Sequence, residues 1–262
     1  MNISLNLRYS ALAGSLAVFV LIWWGVARAV DNPQMVADPS STWHEFIQLY
    51  LNSALRAQLI SGTQTTLMSI LLGFSLSVVV GVPVGFLMGR YVVADLFLEP
   101  WVNSWYSIPA IAFVPLMMNW TGITWESAML TAFLVAVFSI IISVYSGVKN
   151  CSRSLVDSAL SYGATQSQVM YKVILPASLP NVMTGLRLGI SRAIEGVIIA
   201  EMVFTVVGLG GMIDASADKL QLALSYSLVV VLAVIAIGLS EGMKLVSKRV
   251  VAWKESQSMR RE

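Results

Sequence analysis

Charge-free apolar runs dominate the chain, and their lengths set the first expectation. Residues 9–27, 64–89, 100–125, 127–148 and 220–240 carry no Asp, Glu, Lys or Arg. Each is close to or above the roughly 20 residues that a helix needs to cross a hydrocarbon core of about 30 Å. A sixth run, 188–207, is apolar but holds Arg192, Glu195 and Glu201. The pattern predicts an all-α integral membrane protein with six transmembrane helices. Pro100, Pro109 and Pro115 fall in the third run, so part of that span is expected to be broken or re-entrant.

The first run has a signal peptide's superficial marks, with Arg8 before it and Ala27-Arg28-Ala29 at its end. Its length and its Trp23-Trp24 pair predict a retained anchor instead. Between the first two spans, Trp43, Phe46, Ile47, Tyr50, Leu51, Ala54 and Leu55 recur at i, i+3 and i+4. The opposite face carries His44, Glu45, Gln48, Asn52 and Arg56. Thr42 and Glu45 have the spacing of a capping box, so an amphipathic helix is expected from about Trp43, lying on the outer leaflet or against its neighbours.

Charge distribution orients the spans. With the N-terminus inside, twelve Lys and Arg residues fall on inner segments: Arg8, Arg90, Lys149, Arg153, Lys172, Arg187, Lys244, Lys248, Arg249, Lys254, Arg260 and Arg261. Only Arg28, Arg56 and Lys219 fall on outer ones. The bias predicts that both termini are cytoplasmic.

Composition removes most alternatives. Hydrophobic residues make up 57% of the 262 residues and charged residues 11%, where a soluble domain carries about 25% charged. The net charge of +2 supplies no basic face for nucleic acid. Cys151 is the single cysteine and His44 the single histidine, so a disulfide, a thiolate metal site and His-based intramembrane proteolysis are all disfavoured, and no metal site is expected. The thirteen methionines read as apolar filling. No GxxxxGK[ST] run occurs, so ATP binding through a P-loop of this chain is not expected.

The inner segment from about 149 to 187 is too polar to cross a membrane and too long for a connector. Residues 155–166 suit a short helix whose Ser158, Ala159, Ser161, Gly163 and Ala164 let another protein approach its backbone. Pro176 and Pro180 are expected to end that helix.

This segment resembles the cytoplasmic signature of permease subunits of binding-protein-dependent ABC importers, EAA-x3-G-x9-I-x-LP. Ala159, Gly163, Leu175 and Pro176 match at intact spacing, with Asp157, Ser158 and Val173 as conservative departures. Gly81-Val82-Pro83-Val84-Gly85, Ser107-Ile108-Pro109, Ala200-Glu201-Met202 and Gly208-Leu209-Gly210 are similar to the nitrate/sulfonate/taurine branch. Trp120-Thr121-Gly122 and Phe138-Ser139 depart from that branch's Trp-Phe-Gly and Phe-Pro, and Ser143 stands where Asn is frequent.

The resemblance implies a type I ABC importer permease with a cytoplasmic coupling helix between the fourth and fifth spans. It places that helix at 157–164 and makes Asp157, Ser158, Ala159, Gly163, Ala164, Leu175 and Pro176 the residues that couple to the ATPase. It further implies a bacterial inner-membrane location, cytosolic ABC ATPase subunits that use ATP and Mg, an external solute-binding protein, and a second permease copy, embedded together in lipid. The implied cargo is a small organic or inorganic anion. The chain itself is expected to bind no cofactor and to catalyse nothing. The implied organisation is an N-terminal segment with the first span (1–30), an external loop (31–62), a permease core (63–247) and a cytoplasmic tail (248–262).

Ser139, Ser143, Arg192, Glu195 and Glu201 are candidates for the pathway or its gating. An intramembrane charge costs at least about 2.5–3.5 kcal/mol at a helix centre. Arg192 and Glu195 stand at i, i+3, so either they neutralise one another or Arg192 offers an anion a transient site. The competing reading is an ion-gradient-driven secondary transporter or channel, which would use those charges as a relay. It leaves the inner segment without a role, and no internal repeat supports it.

Overall fold

The computed structural model describes residues 5–204 and 208–251. Lys254, Arg260, Arg261 and the end of the predicted 188–207 span lie outside them. The described chain is helical throughout. Helix α1 covers Leu5–Val30, α2 Pro39–Leu51, α3 Ser53–Arg90, α4 Val92–Tyr106, α5 Phe113–Thr121 and α6 Trp125–Lys149. After a turn come α7 (Arg153–Ser161) and α8 (Gln166–Val169), then α9 (Leu175–Phe204), α10 (Leu209–Asp218) and α11 (Leu222–Val250).

Among the described residues, five helical segments are long and apolar enough to cross a membrane: α1, α3, α6, the stretch containing α9, and α11. The predicted third span is not one helix. It is α4 and α5, separated at 107–112, where a single 3-10 turn (Ala110–Ala112) follows Pro109. Pro109 is the breaking residue, because a proline biases the residue before it away from helix. Pro100 is absorbed inside α4, and Pro115 falls in the first turn of α5, where a missing N–H is harmless.

The core is the stack of α3, α6 and α9, and small residues set its spacing. On α3, Ser69, Gly73, Ser77, Gly81, Gly85 and Gly89 recur every four residues, which keeps them on one helix face. A β-carbon on Gly73 would stand 2.6 Å from the Met129 carbonyl oxygen, and one on Gly85 2.7 Å from that of Ile141. From the other side, Gly185 and Gly189 of α9 meet Ser143 and Ile140 equally closely. Lipid tails are as apolar as leucine, so helices inside a bilayer gain from close backbone approach, and small residues permit it.

Two ends follow from this stack. At one, α2 packs through Thr42 and Leu49, and the Ser227 hydroxyl of α11 donates to the Thr42 carbonyl (2.8 Å). The expected apolar stripe of α2 points the other way. Trp43, Ile47, Tyr50 and Leu51 are exposed, with Phe46 ring-stacked between Trp43 and Tyr50. The helix is capped by Asp38, whose carboxylate accepts from the Ser41 amide at 2.6 Å. The expected Thr42–Glu45 box does not form, because Pro39 starts the helix three residues earlier. At the other end Arg90, closing α3, donates to Gln166 of α8 (3.0 Å), and Lys149 of α6 pairs with Asp95 of α4 (2.9 Å) while donating to the Tyr145 hydroxyl.

Candidate functional site

Three groups of side chains carry the functional argument: the α7–α8 turn, the Arg192–Glu195 cavity and the Glu201 node.

Helix α7 ends in a Schellman motif. The Ala164 amide donates to the Ala159 carbonyl (3.1 Å) and the Gly163 amide to that of Leu160 (2.9 Å), with Gly163 at φ +82°. That geometry requires a left-handed residue four places after the residue that accepts the outer bond. The spacing of Ala159 and Gly163 is therefore a helix-ending device. Nothing lies within 4 Å of where a Gly163 β-carbon would stand, so the glycine is needed for its backbone angle and not for room. Thr165 then restarts the chain with a capping box. Its hydroxyl accepts from the Gln168 amide (3.3 Å), and the Gln168 side chain accepts from the Thr165 amide (2.9 Å).

The residues expected to face a partner divide here. Asp157, Ser158 and Ser161 are exposed, as are Leu155, Leu160 and Tyr162, the last at 93%. Ala159 and Ala164 turn inward instead and pack against the cluster built on Val144, Val148, Val169 and Ile174. Their smallness seats α7 on its own chain, and the outward surface is more apolar than expected. Leu175 and Pro176 lie in the first turn of α9, beyond a π turn at Met170–Ile174. The two prolines do not end α7. Gly163 does, and the widened π turn carries the chain into α9 without needing a Pro176 N–H. The fifth span therefore starts at Leu175, where 188 was expected.

Arg192 and Glu195 pair across one turn of α9, Nη1 to Oε2 at 2.8 Å, with side chains 46% and 44% exposed. They line a cavity of about 440 Å³ walled by the broken segment 107–111, by Trp105 and Phe113, and by Phe138 of α6. Trp105 stacks on both Phe113 (centroids 5.8 Å apart) and Phe138 (6.3 Å). Ser143 lies away from this wall. It is packed on Gly185 in the α6–α9 seam, and its hydroxyl donates to the Ser139 carbonyl (2.8 Å). Ser139 is buried, and its hydroxyl has no hydrogen-bond partner among the described residues.

Glu201 is fully buried, 0% exposed. Its Oε2 accepts from the Gly210 amide (2.9 Å), and the Thr66 hydroxyl donates to the carboxylate (2.9 Å to either oxygen) while accepting from the Leu209 amide (2.9 Å). One carboxylate and one hydroxyl thus satisfy the first amides of α10, whose cap residue Gly208 offers no side chain for the task. Gly208 cannot be larger, because a β-carbon there would fall 2.1 Å from Glu201 Oε1. Sequence reasoning found Glu201 but not Thr66, which lies 135 positions away and is marked by nothing local.

Comparison with known proteins agrees with this geometry. Residues 81–251 match the family described as binding-protein-dependent transport system inner membrane component. The taurine transport system permease protein TauC of Escherichia coli (strain K12) is 29% identical over 242 residues, covering 92% of this chain and 88% of the relative. The putative aliphatic sulfonates transport permease protein SsuC of Bacillus subtilis (strain 168) is 27% identical over 252 residues, 95% of this chain and 90% of the relative. Among solved structures, the inward facing MetNI methionine ABC transporter is similar with a TM-score of 0.64, at 20% identity over 77% of this chain and 98% of that one. That likeness establishes the fold.

Proposed function

The chain belongs to the binding-protein-dependent transport system inner membrane components, and from that premise we propose how it is powered, what it joins and what it carries. It is a multi-pass permease subunit of an ABC importer and is not itself the catalytic subunit. Energy comes from separate cytosolic ATPase subunits that bind ATP and Mg. They dock on α7 through Asp157, Ser158 and the exposed Leu155, Leu160 and Tyr162. Gly163 sets the direction in which that surface projects, while Ala159 and Ala164 transmit its movement to the inner ends of α6 and α9.

A single chain offers one such surface. Two ATPases closing on one another need two, so a second permease copy completes the assembly. An external binding protein delivers solute to the opposite end, and both termini are cytoplasmic. The cargo is a small organic or inorganic anion of the sulfonate, nitrate, taurine or aromatic-acid type, as the printed functions of the relatives support.

The observation that carries this reading is the Schellman-capped helix with its exposed apolar side chains, held at the cytoplasmic end of α6 and α9. The test is affinity capture of the tagged chain from its native membranes in mild detergent, with mass spectrometry and an ATPase assay on the eluate. An ATPase is expected with the wild type and lost with Gly163→Arg, whose side chain has open space on its own chain and so blocks only what docks there. Clean recovery of the wild type with no ATPase, together with uptake driven by an ion gradient, would replace the reading by a secondary transporter.

A further inference from the structure

Arg192 and Glu195 sit about 25 Å along α9 from its cytoplasmic start, by helix rise. The break at 107–112 lies at a similar depth, one length of α4 from the same end. Both features resist a lipid neighbour. A half-exposed charged pair at that depth needs water or protein against it, and irregular backbone is tolerated inside a membrane only where protein or water meets it. Two independent observations therefore point to one hydrated face, and the cavity lies between them. Its volume of about 440 Å³ is in the range of small-molecule sites.

The charge in that cavity is balanced. A simple anion would have to compete with Glu195 for the guanidinium, and a simple cation with Arg192 for the carboxylate. A molecule bearing both charges avoids this, because it exchanges one ion pair for two and adds no net charge to the site. One hydrogen bond ties Arg192 to Glu195, whereas a guanidinium carries five N–H donors and a carboxylate two acceptor oxygens. The flat wall of Trp105, held between Phe113 and Phe138, adds a face that favours an ammonium group.

We infer that the cavity formed by Arg192, Glu195, Trp105 and the 107–111 break is a transient site for a small zwitterion, with its anionic group on Arg192 and its ammonium between Glu195 and the aromatic wall. This rests on the permease reading and narrows its cargo from anions in general to amino-sulfonate or amino-carboxylate compounds. The site is a second specificity step beyond any external binding protein.

The experiment uses the full chain in lipid nanodiscs with whatever ATPase co-purifies. Three probes are titrated into the millimolar range: 2-aminoethanesulfonate, ethanesulfonate and ethylammonium. The readout is tryptophan fluorescence, assigned to the cavity by subtracting Trp105→Phe. Saturation by 2-aminoethanesulfonate is expected at a concentration at least tenfold below that for either single-charge probe. Glu195→Gln should erase the tenfold preference over ethanesulfonate, and Arg192→Gln should remove the response to both sulfonates. Equal responses to all probes, no saturable response, or a preference that survives both variants would overturn the site. Loss of the second copy in either variant would also overturn it, since the pair would then be an interface contact. Co-purification of the ATPase is scored separately. Its absence counts against the permease reading, whereas its presence with no zwitterion preference removes only this inference.

Discussion

Gly163 and Glu201 show how single residues set larger parts of this molecule. At φ +82° a β-carbon costs roughly 1–2 kcal/mol. Gly163→Ala should therefore fray the end of α7 and lower ATPase retention while leaving the thermal midpoint of the membrane core unchanged. Gly163→Asn, which tolerates the left-handed region, should retain more ATPase; equal loss in both variants would contradict the backbone argument. At the opposite end, Glu201→Ala leaves the Gly210 amide without its acceptor. Thr66→Val does the same to the Leu209 amide. Each should cost about 1–3 kcal/mol and lower the unfolding midpoint in detergent. The double variant should lose less than the sum, because the two residues serve one helix terminus. Strict additivity would show that they act apart.

The elements differ in how tightly they are held. Gly85 of α3 is pressed to within 2.7 Å of α6 atoms, whereas Gly238 of α11 has nothing within 4 Å of a β-carbon. Gly85→Leu should therefore destabilise by about 1–3 kcal/mol through overpacking. Gly238→Ala should be neutral or stabilising by roughly 0.5–1 kcal/mol. Thermal unfolding of the two variants side by side checks both expectations. The cap of α2 is pH-dependent. Hydrogen bonding from Ser41, side chain first and then amide, holds the Asp38 carboxyl below its ordinary value, with Ser40 and the Arg28 charge assisting and slight burial opposing. Because the folded-state value is the depressed one, the cap's contribution is complete above the ordinary carboxylate range. It is lost as pH falls through the folded value. The midpoint difference between wild type and Asp38→Ala should be present at neutral pH and vanish in strong acid.

At the scale of the whole molecule, the orientation proposed from charge can be read with the chain's own thiol. Cys151 is the single cysteine, and it lies between α6 and α7 at the end proposed to be cytoplasmic. Burial pushes its thiol up, so labelling is best done at mildly alkaline pH. A membrane-impermeant maleimide should react in inverted membrane vesicles and not in intact cells; reaction from outside would invert the topology. The same scale explains the dominance of exposed apolar side chains on α1 and α11. Those helices face lipid, whereas α6, enclosed between α3 and α9, carries the core.

The spans, the bias of positive charge and the signature around Gly163 were all legible in the sequence, because each rests on local quantities: run length, charge count and fixed spacing. The four-residue stripe of Ser and Gly on α3 was equally local, and its period alone marks a helix interface. Other features depended on contacts across the chain. Thr66 meets Glu201 only because α3 and α9 cross. Ala159 and Ala164 face inward only because α7 folds back on α6 and α9, and Arg192 gains a cavity only because α4 breaks opposite it. Local pattern determines which segments are helices and which solvent each prefers. Where a helix ends, and which of its small or charged residues meet a neighbour, is decided by packing among segments far apart in the chain.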